Sequence, residues 1–169
     1  LFREALWNTL LSGLLVVVFS ALMSLPLAYI LARYEFRGKL LLQTVATLPL
    51  VIPPFVGAVA LQLIFGRSGT INLLLMRWWD TSFPFMEGLA GVVLVQTLHF
   101  FPFILLNTVV SLANIDPSME EMAQNMGCHG LRLFRRITLP LMLPGFIAGA
   151  LLTFIRAIDD LGTPLMLNY

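Results

Sequence analysis

The sequence is short of charge, nearly free of cysteine, and carries no recognisable motif for holding a nucleotide or a metal. Only 11% of its 169 residues are Asp, Glu, Lys or Arg, against about a quarter in soluble domains, so an ordinary water-soluble domain is excluded. A lone cysteine, Cys128, excludes an internal disulfide, and no paired Cys and His residues stand at metal-ligand spacing, so no metal is expected. No G-x-x-x-x-G-K-[ST] phosphate loop occurs, since Gly66-Arg67-Ser68-Gly69 does not match it. No nucleophile and base stand in a plausible relation either, so the chain is not read as an enzyme. The net charge of +1 says little about partners, because in such a chain the placement of charge matters more than its sum; nucleic acid is not an expected partner.

What the chain has in abundance is apolar surface. Hydrophobic residues make up 59% of it, and the mean hydropathy is +0.90. A bilayer-spanning helix needs about 20 mostly apolar residues, and four stretches qualify: 6–32, 40–65, 88–113 and 141–158. The expected fold is therefore all-α, a polytopic helical membrane protein, read as one domain over 1–169 and as a fragment of a larger protein. The first stretch is too long for the apolar core of a secretory signal and lacks its basic leader. Pro26, Pro49, Pro53, Pro54 and Pro102 interrupt the stretches, as expected where helices pack on helices or line a cavity.

The first three stretches have no Asp, Glu, Lys or Arg at their centres. His99 is the one titratable candidate there, and a hydrogen-bonded packing histidine is favoured over a proton relay. A transporter driven by an ion gradient, or a channel, is the alternative reading, and it would want intramembrane charges.

The loops give an orientation. Arg33, Arg37 and Lys39 lie between the first two stretches, and Arg132, Arg135 and Arg136 between the last two, whereas 66–87 carries only Arg67 and Arg77. Excess Lys and Arg mark the cytoplasmic side, so the first and third loops face inward and the second outward. Trp78 and Trp79, with Phe83, Pro84 and Phe85 in the outer loop, read as an aromatic belt at the headgroups.

The inward loop 114–140 is the most informative part of the chain. Asp116-Pro117-Ser118 supplies a helix start with Asp or Ser as cap, Glu120 and Glu121 suit its first turn, and Gly127 suits its stop. A second short helix is expected from about Leu131. Within this stretch Glu121 and Ala123 are followed by Gly127 six residues after the Glu, Ile137 ten after the Gly, then Leu139 and Pro140. That spacing resembles the cytoplasmic signature of permease subunits in binding-protein-dependent ABC importers, E-A-A, three residues, G, nine residues, I-x-L-P. Met122 departs from it at the second position, and Phe134 sits where the family usually has an aromatic.

The resemblance implies a permease subunit in the inner membrane, forming a solute pathway and coupling it to ATP hydrolysis on a separate subunit. ATP and Mg would lie on that partner ATPase, with no cofactor on this chain. The other implied partners are a second permease half, as homodimer, heterodimer or fused chain, and a periplasmic solute-binding protein. Glu121, Ala123, Gly127 and Phe134 would contact the ATPase, Ile137, Leu139 and Pro140 would hinge the loop to the last stretch, and Arg132, Arg135 and Arg136 either satisfy the positive-inside rule or pair with acidic ATPase groups. The Leu-Pro-Leu-Val-Ile-Pro-Pro run at 48–54 and Asp160-Leu-Gly-Thr-Pro resemble the branch handling ferric iron, polyamines, thiamine and phosphonates.

Arg156 near the end of the last apolar stretch, and Asp159, Asp160 and Gly162 just after it, are read as lining the pathway or its outer gate, or else as a helix end in water. Arg156 and Asp159 are spaced i, i+3 and could pair. Gly145 and Gly149 form a G-x-x-x-G pair for close helix packing, for which a partner permease half is a natural use.

Overall fold

The computed structural model describes residues 2–66, 69–79, 86 and 88–167, and of Phe2, Ala5 and Trp79 the backbone only. The expected all-α architecture is what it shows, with no strand among the described residues. Leu6–Arg33, Pro54–Trp78, Gly88–Ala113 and Leu131–Asp159 are each long and apolar enough to cross a membrane. Helix α1, Phe2–Arg33, is one rod despite Pro26.

The second apolar stretch is not the single helix expected over 40–65. It divides into α2, Lys39–Thr47, a 3-10 turn at Leu48–Leu50, and α3, Pro54–Phe65. Three prolines cause the break. Pro49, Pro53 and Pro54 bring no N–H to the helical ladder, and a residue before proline is pushed out of the α region. Pro53, itself followed by Pro54, takes φ −58° and ψ 139° and so turns the chain before α3 begins. Part of the expected outer loop is helix as well, α4 over Thr70–Trp79. The Asn72 side chain joins the two, its Nδ2 donating to the Phe65 and Gly66 carbonyls at 3.3 and 2.8 Å. Arg67, Phe83, Pro84 and Phe85 lie outside the described residues. Trp78 is exposed, as a headgroup-level aromatic would be.

Helix α5, Gly88–Ala113, is the centre of the bundle. Of its most apolar window 67% is buried, against 28% for Leu6–Arg33 and 22% for Leu131–Asp159. Around it pack α1 and α8, Leu139–Asp159, which closes toward the short α9, Gly162–Met166. Toward the loop end the core is Ala28, Leu31, Phe101, Leu105, Leu112 and Met142. Toward the other end it is Val16, Val93, Phe100 and Ala157. Polar side chains inside the bundle satisfy backbone carbonyls near Pro102, as Ser24 Oγ does on Phe101 O at 2.9 Å.

Helices α5 and α8 run antiparallel in strict register. Ser111 Oγ donates to Met142 O, Thr153 Oγ1 to Phe100 O and Gln96 Nε2 to Ala157 O, so each step back along α5 matches one step forward along α8. This register puts Gly145 and Gly149 against α5 of the same chain. A Cβ at Gly145 would stand 2.5 Å from Ser111 Cβ, and one at Gly149 2.7 Å from Ile104 Cα. The G-x-x-x-G pair is therefore used within the bundle rather than left for a partner half. Because the obstacle at Gly149 is backbone, Gly149→Val is expected to destabilise the bundle by about 1–3 kcal/mol. A lowered thermal midpoint of the detergent-solubilised protein would show it.

Candidate functional site

The loop between α5 and α8 folds as two short helical pieces whose ends are set by local chemistry. Helix α6, Pro117–Asn125, begins at Asp116, whose carboxylate accepts from the Ser118 N–H at 2.9 Å, while Pro117 occupies the first turn, where a missing N–H costs nothing. That bond holds the Asp116 carboxyl below its usual range. The cap is therefore present above the ordinary aspartate pKa of about 3.9 and is lost only as pH falls through the lower folded value. Protection of the α6 amides, taken relative to the intrinsic exchange rate at each pH, is accordingly expected to be constant from neutral pH down to about 5 and to fail only under stronger acid.

The helix stops at Gly127 through a paired C-terminal motif. Cys128 N–H bonds Ala123 O and Gly127 N–H bonds Gln124 O, both at 2.9 Å, which requires a left-handed residue at the turn. Gly127 supplies it with φ +84°. Gly130, at φ +58°, makes a second such bend and launches α7, Leu131–Leu133. From there the chain enters a π-helical turn, Phe134–Thr138, and passes into α8 without a break. Of the residues expected to hinge the loop, Ile137 lies in this wide helical turn, a feature that is common at functional sites, while Leu139 and Pro140 begin α8.

The exposed face of this loop carries Glu121, Met122, Arg132, Arg135 and Arg136. Among the described residues none of those four charged side chains has an ion-pair partner within the chain. Ala123 is half-buried. Phe134 is placed differently from the expectation that it faces an ATPase. Its ring is half-buried, meets Tyr29 of α1 edge-on at 5.7 Å, and packs on the core at the loop end of the bundle. An apolar ring beside an apolar helix gains more from that burial than from standing in water.

A residue that the sequence reading placed only in a helix first turn proves central. Glu120 Oε1 accepts from Arg33 Nη2 at 2.5 Å and from Thr138 Oγ1 at 2.7 Å. The end of α1, helix α6 and the start of α8 thus meet on one carboxylate oxygen, in a place where Arg33 and Glu120 side chains are only 22% and 16% exposed.

The polar group on α8 is also rearranged relative to expectation. Arg156 makes no ion pair with Asp159, although both lie in the last turn of α8. Asp160 turns inward instead. Its Oδ2 accepts from Gln96 Nε2 at 3.0 Å, and its Oδ1 accepts from the Gly162 and Thr163 N–H groups at 3.1 and 3.2 Å. Those last two bonds fix the start of α9, with Gly162 half-buried beside Phe55. By the α5 register Arg156 stands level with Thr97, nine residues from Gly88 and sixteen from Ala113. At 1.5 Å per residue those are about 14 and 24 Å, inside the thickness of the bilayer rather than at its edge. His99 is nearly buried, stacks edge-on against Phe100 at 5.0 Å and has no hydrogen bond among the described residues, contrary to the expected hydrogen-bonded packing role.

Comparison with known proteins matches residues 24–168 to the binding-protein-dependent transport system inner membrane component. The chain belongs to that family. A molybdenum transport system permease protein of Haemophilus influenzae is 42% identical over 154 residues, covering 89% of this chain and 66% of that protein. A molybdate/tungstate transport system permease protein of Pyrococcus abyssi is 30% identical, covering 98% of this chain and 60% of its own length. A sulfate transport system permease protein of Synechococcus elongatus is 32% identical, covering 95% and 55%. The chain thus spans between about half and two thirds of the length of these relatives. Their names speak of molybdenum, molybdate, tungstate and sulfate, and the ferric-iron likeness read from 48–54 and Asp160 to Pro164 gains no support from them.

Proposed function

We propose that this chain is the core of a permease subunit in an ATP-driven importer of tetrahedral oxyanions. The observation that carries the proposal is the loop: α6 closed by Gly127, with Glu121 exposed beside it, on the inner face of a chain that belongs to this transport family. The oxyanion class rests on the relatives named for molybdate, tungstate and sulfate. ATPase subunits dock on Glu121, Met122, Ala123 and the Gly127 turn, and Arg132, Arg135 and Arg136 meet acidic groups at the same surface. Phe134 fastens the loop to α1 from within. Closure of the ATPase pair moves α6, and the continuous helix from Leu131 to Asp159 carries that movement to Arg156, Asp160 and Gly162, which border the pathway. A second permease half completes the pathway, and a periplasmic binding protein delivers the solute.

Reconstitution of the complete transporter tests this. Uptake of radiolabelled molybdate or sulfate into proteoliposomes is expected to require ATP, the ATPase and the binding protein, and to persist when ionophores collapse ion gradients. Uptake that runs without ATP and stops with the gradient contradicts the proposal and returns the chain to the gradient-driven class.

A further inference from the structure

The break between the 3-10 turn and α3 does more than divide a span. It opens a cavity of about 260 Å³ lined by Ile52, Pro53, Pro54, His99, Phe100 and Arg156, among other residues, with no Asp or Glu in its lining. We infer that this cavity is a transient binding site for a tetrahedral oxyanion on its way through the membrane, held by the Arg156 guanidinium, the N-terminus of α3 and the His99 imidazole. This inference rests on the oxyanion reading proposed above.

Arg156 is the first support. A guanidinium at this depth in the bilayer is costly unless something neutralises it, and among the described residues it has neither an ion pair nor a hydrogen bond. Its nearest acidic neighbours in the chain do not fill that role. Asp160 is engaged by three donors, and Asp159 and Asp160 line an adjoining cavity of about 290 Å³ that shares Arg156 with this one. Arg156 thus stands between a space edged by carboxylates and a space free of them, and an anion is drawn to the second.

The α3 terminus is independent of that charge. Helix α3 spans Pro54–Phe65, and no side chain caps its start. Pro54 has no N–H, and the Val56 and Gly57 N–H groups bond Pro53 O, so the terminus brings the cavity the positive end of the peptide dipoles rather than a set of free donors, inside the membrane, where broken helices characteristically present an N-terminus to anionic cargo. His99 is the third element. Its side chain is 9% exposed, it has no hydrogen bond among the described residues, and its Nδ1 lies against the first turn of α3, 3.9 Å from where a Cβ on Gly57 would stand. The imidazole edges the cavity with no hydrogen-bond partner and can donate to an oxyanion oxygen there, while Asp160, which is not in the cavity lining, acts on it electrostatically from outside the cavity. One full charge and two partial ones make the site selective for anions while leaving it weak enough to release them.

The test is uptake by the complete transporter carrying Arg156→Gln or Arg156→Lys, with molybdate, tungstate and sulfate as probes. ATP hydrolysis stimulated by the binding protein is measured alongside. Arg156→Gln is expected to lower uptake roughly 10- to 100-fold, the range for losing one charge-assisted hydrogen bond, while stimulated hydrolysis stays near the parent level. Arg156→Lys is expected to recover most of the uptake, which a purely structural role for the arginine would not allow. Arg156→Gln transporting as well as the parent overturns the site while leaving the oxyanion importer standing. Loss of hydrolysis and uptake together in both variants also overturns it, since the arginine is then structural. A parent complex that moves none of the three anions overturns the oxyanion reading and this site with it.

Discussion

Glu121→Lys is expected to abolish ATP-driven uptake and co-purification of the ATPase while the protein still inserts in the membrane. Glu121 is exposed and without an ion-pair partner among the described residues, so the fold of the chain has little to lose from its reversal. An interface that the residue enters has a great deal to lose. Placing a like charge against a complementary surface costs several kcal/mol, enough to reduce complex formation by about a hundredfold or more. Gly127→Val is expected to give the same result by another route, since a β-branched residue at φ +84° breaks the turn that ends α6. Pull-down of the tagged permease from detergent extracts, with total membrane-inserted protein as the control, reads both variants. Normal co-purification with Glu121→Lys would remove this residue from the docking surface.

Glu120→Gln is expected to separate hydrolysis from transport. The substitution keeps the shape of the side chain and the outward face of α6, so the ATPase still docks. It removes the charge that binds Arg33 of α1 and receives Thr138 at the start of α8. Because the pair is mostly shielded from water, the loss is about 1.5–3 kcal/mol, the range for a hydrogen bond to a charged group. With that tie gone, movement of α6 no longer passes fully into α8, and the amount of solute moved per ATP consumed is expected to fall roughly tenfold. Arg33→Gln is expected to do likewise, and the double variant to be less damaging than the two single effects combined, since neither charge is then left unpaired.

The two glutamates show how far local sequence reasoning reaches. The start and stop of α6 depend on residues within one or two turns, Asp116 with Ser118 and Gly127 with Gln124, and such spacing is legible in the chain itself. The role of Glu120 is not, because its partners are 87 and 18 residues away. Its position suited a helix first turn so well that nothing local pointed further. Phe134 follows the same rule. Its position in the signature was plain, but the direction of its ring depends on Tyr29, a hundred residues earlier in the chain.

The apolar stretches were visible in composition, and the break in the second was partly written in Pro49, Pro53 and Pro54. Taking apolarity as the stronger signal produced one span where proline chemistry makes two helices. The i, i+3 spacing of Arg156 and Asp159 permits a pair on the last turn of α8, but spacing alone does not make one, and the two side chains stay apart. The partner of the Gly145 and Gly149 face could not be named from spacing, since it is set by the register of α5 on α8.

The central claim is that an ATPase on another chain grips this protein at α6. A photo-reactive benzophenone amino acid installed at Met122, which is 59% exposed on α6, tests it most directly in the assembled transporter. The same group at Trp78, 75% exposed on α4, serves as the control on the opposite face. Illumination is expected to join the ATPase to the chain through position 122 and not through position 78. No cross-link at position 122 in a complex that still imports its solute would contradict the account.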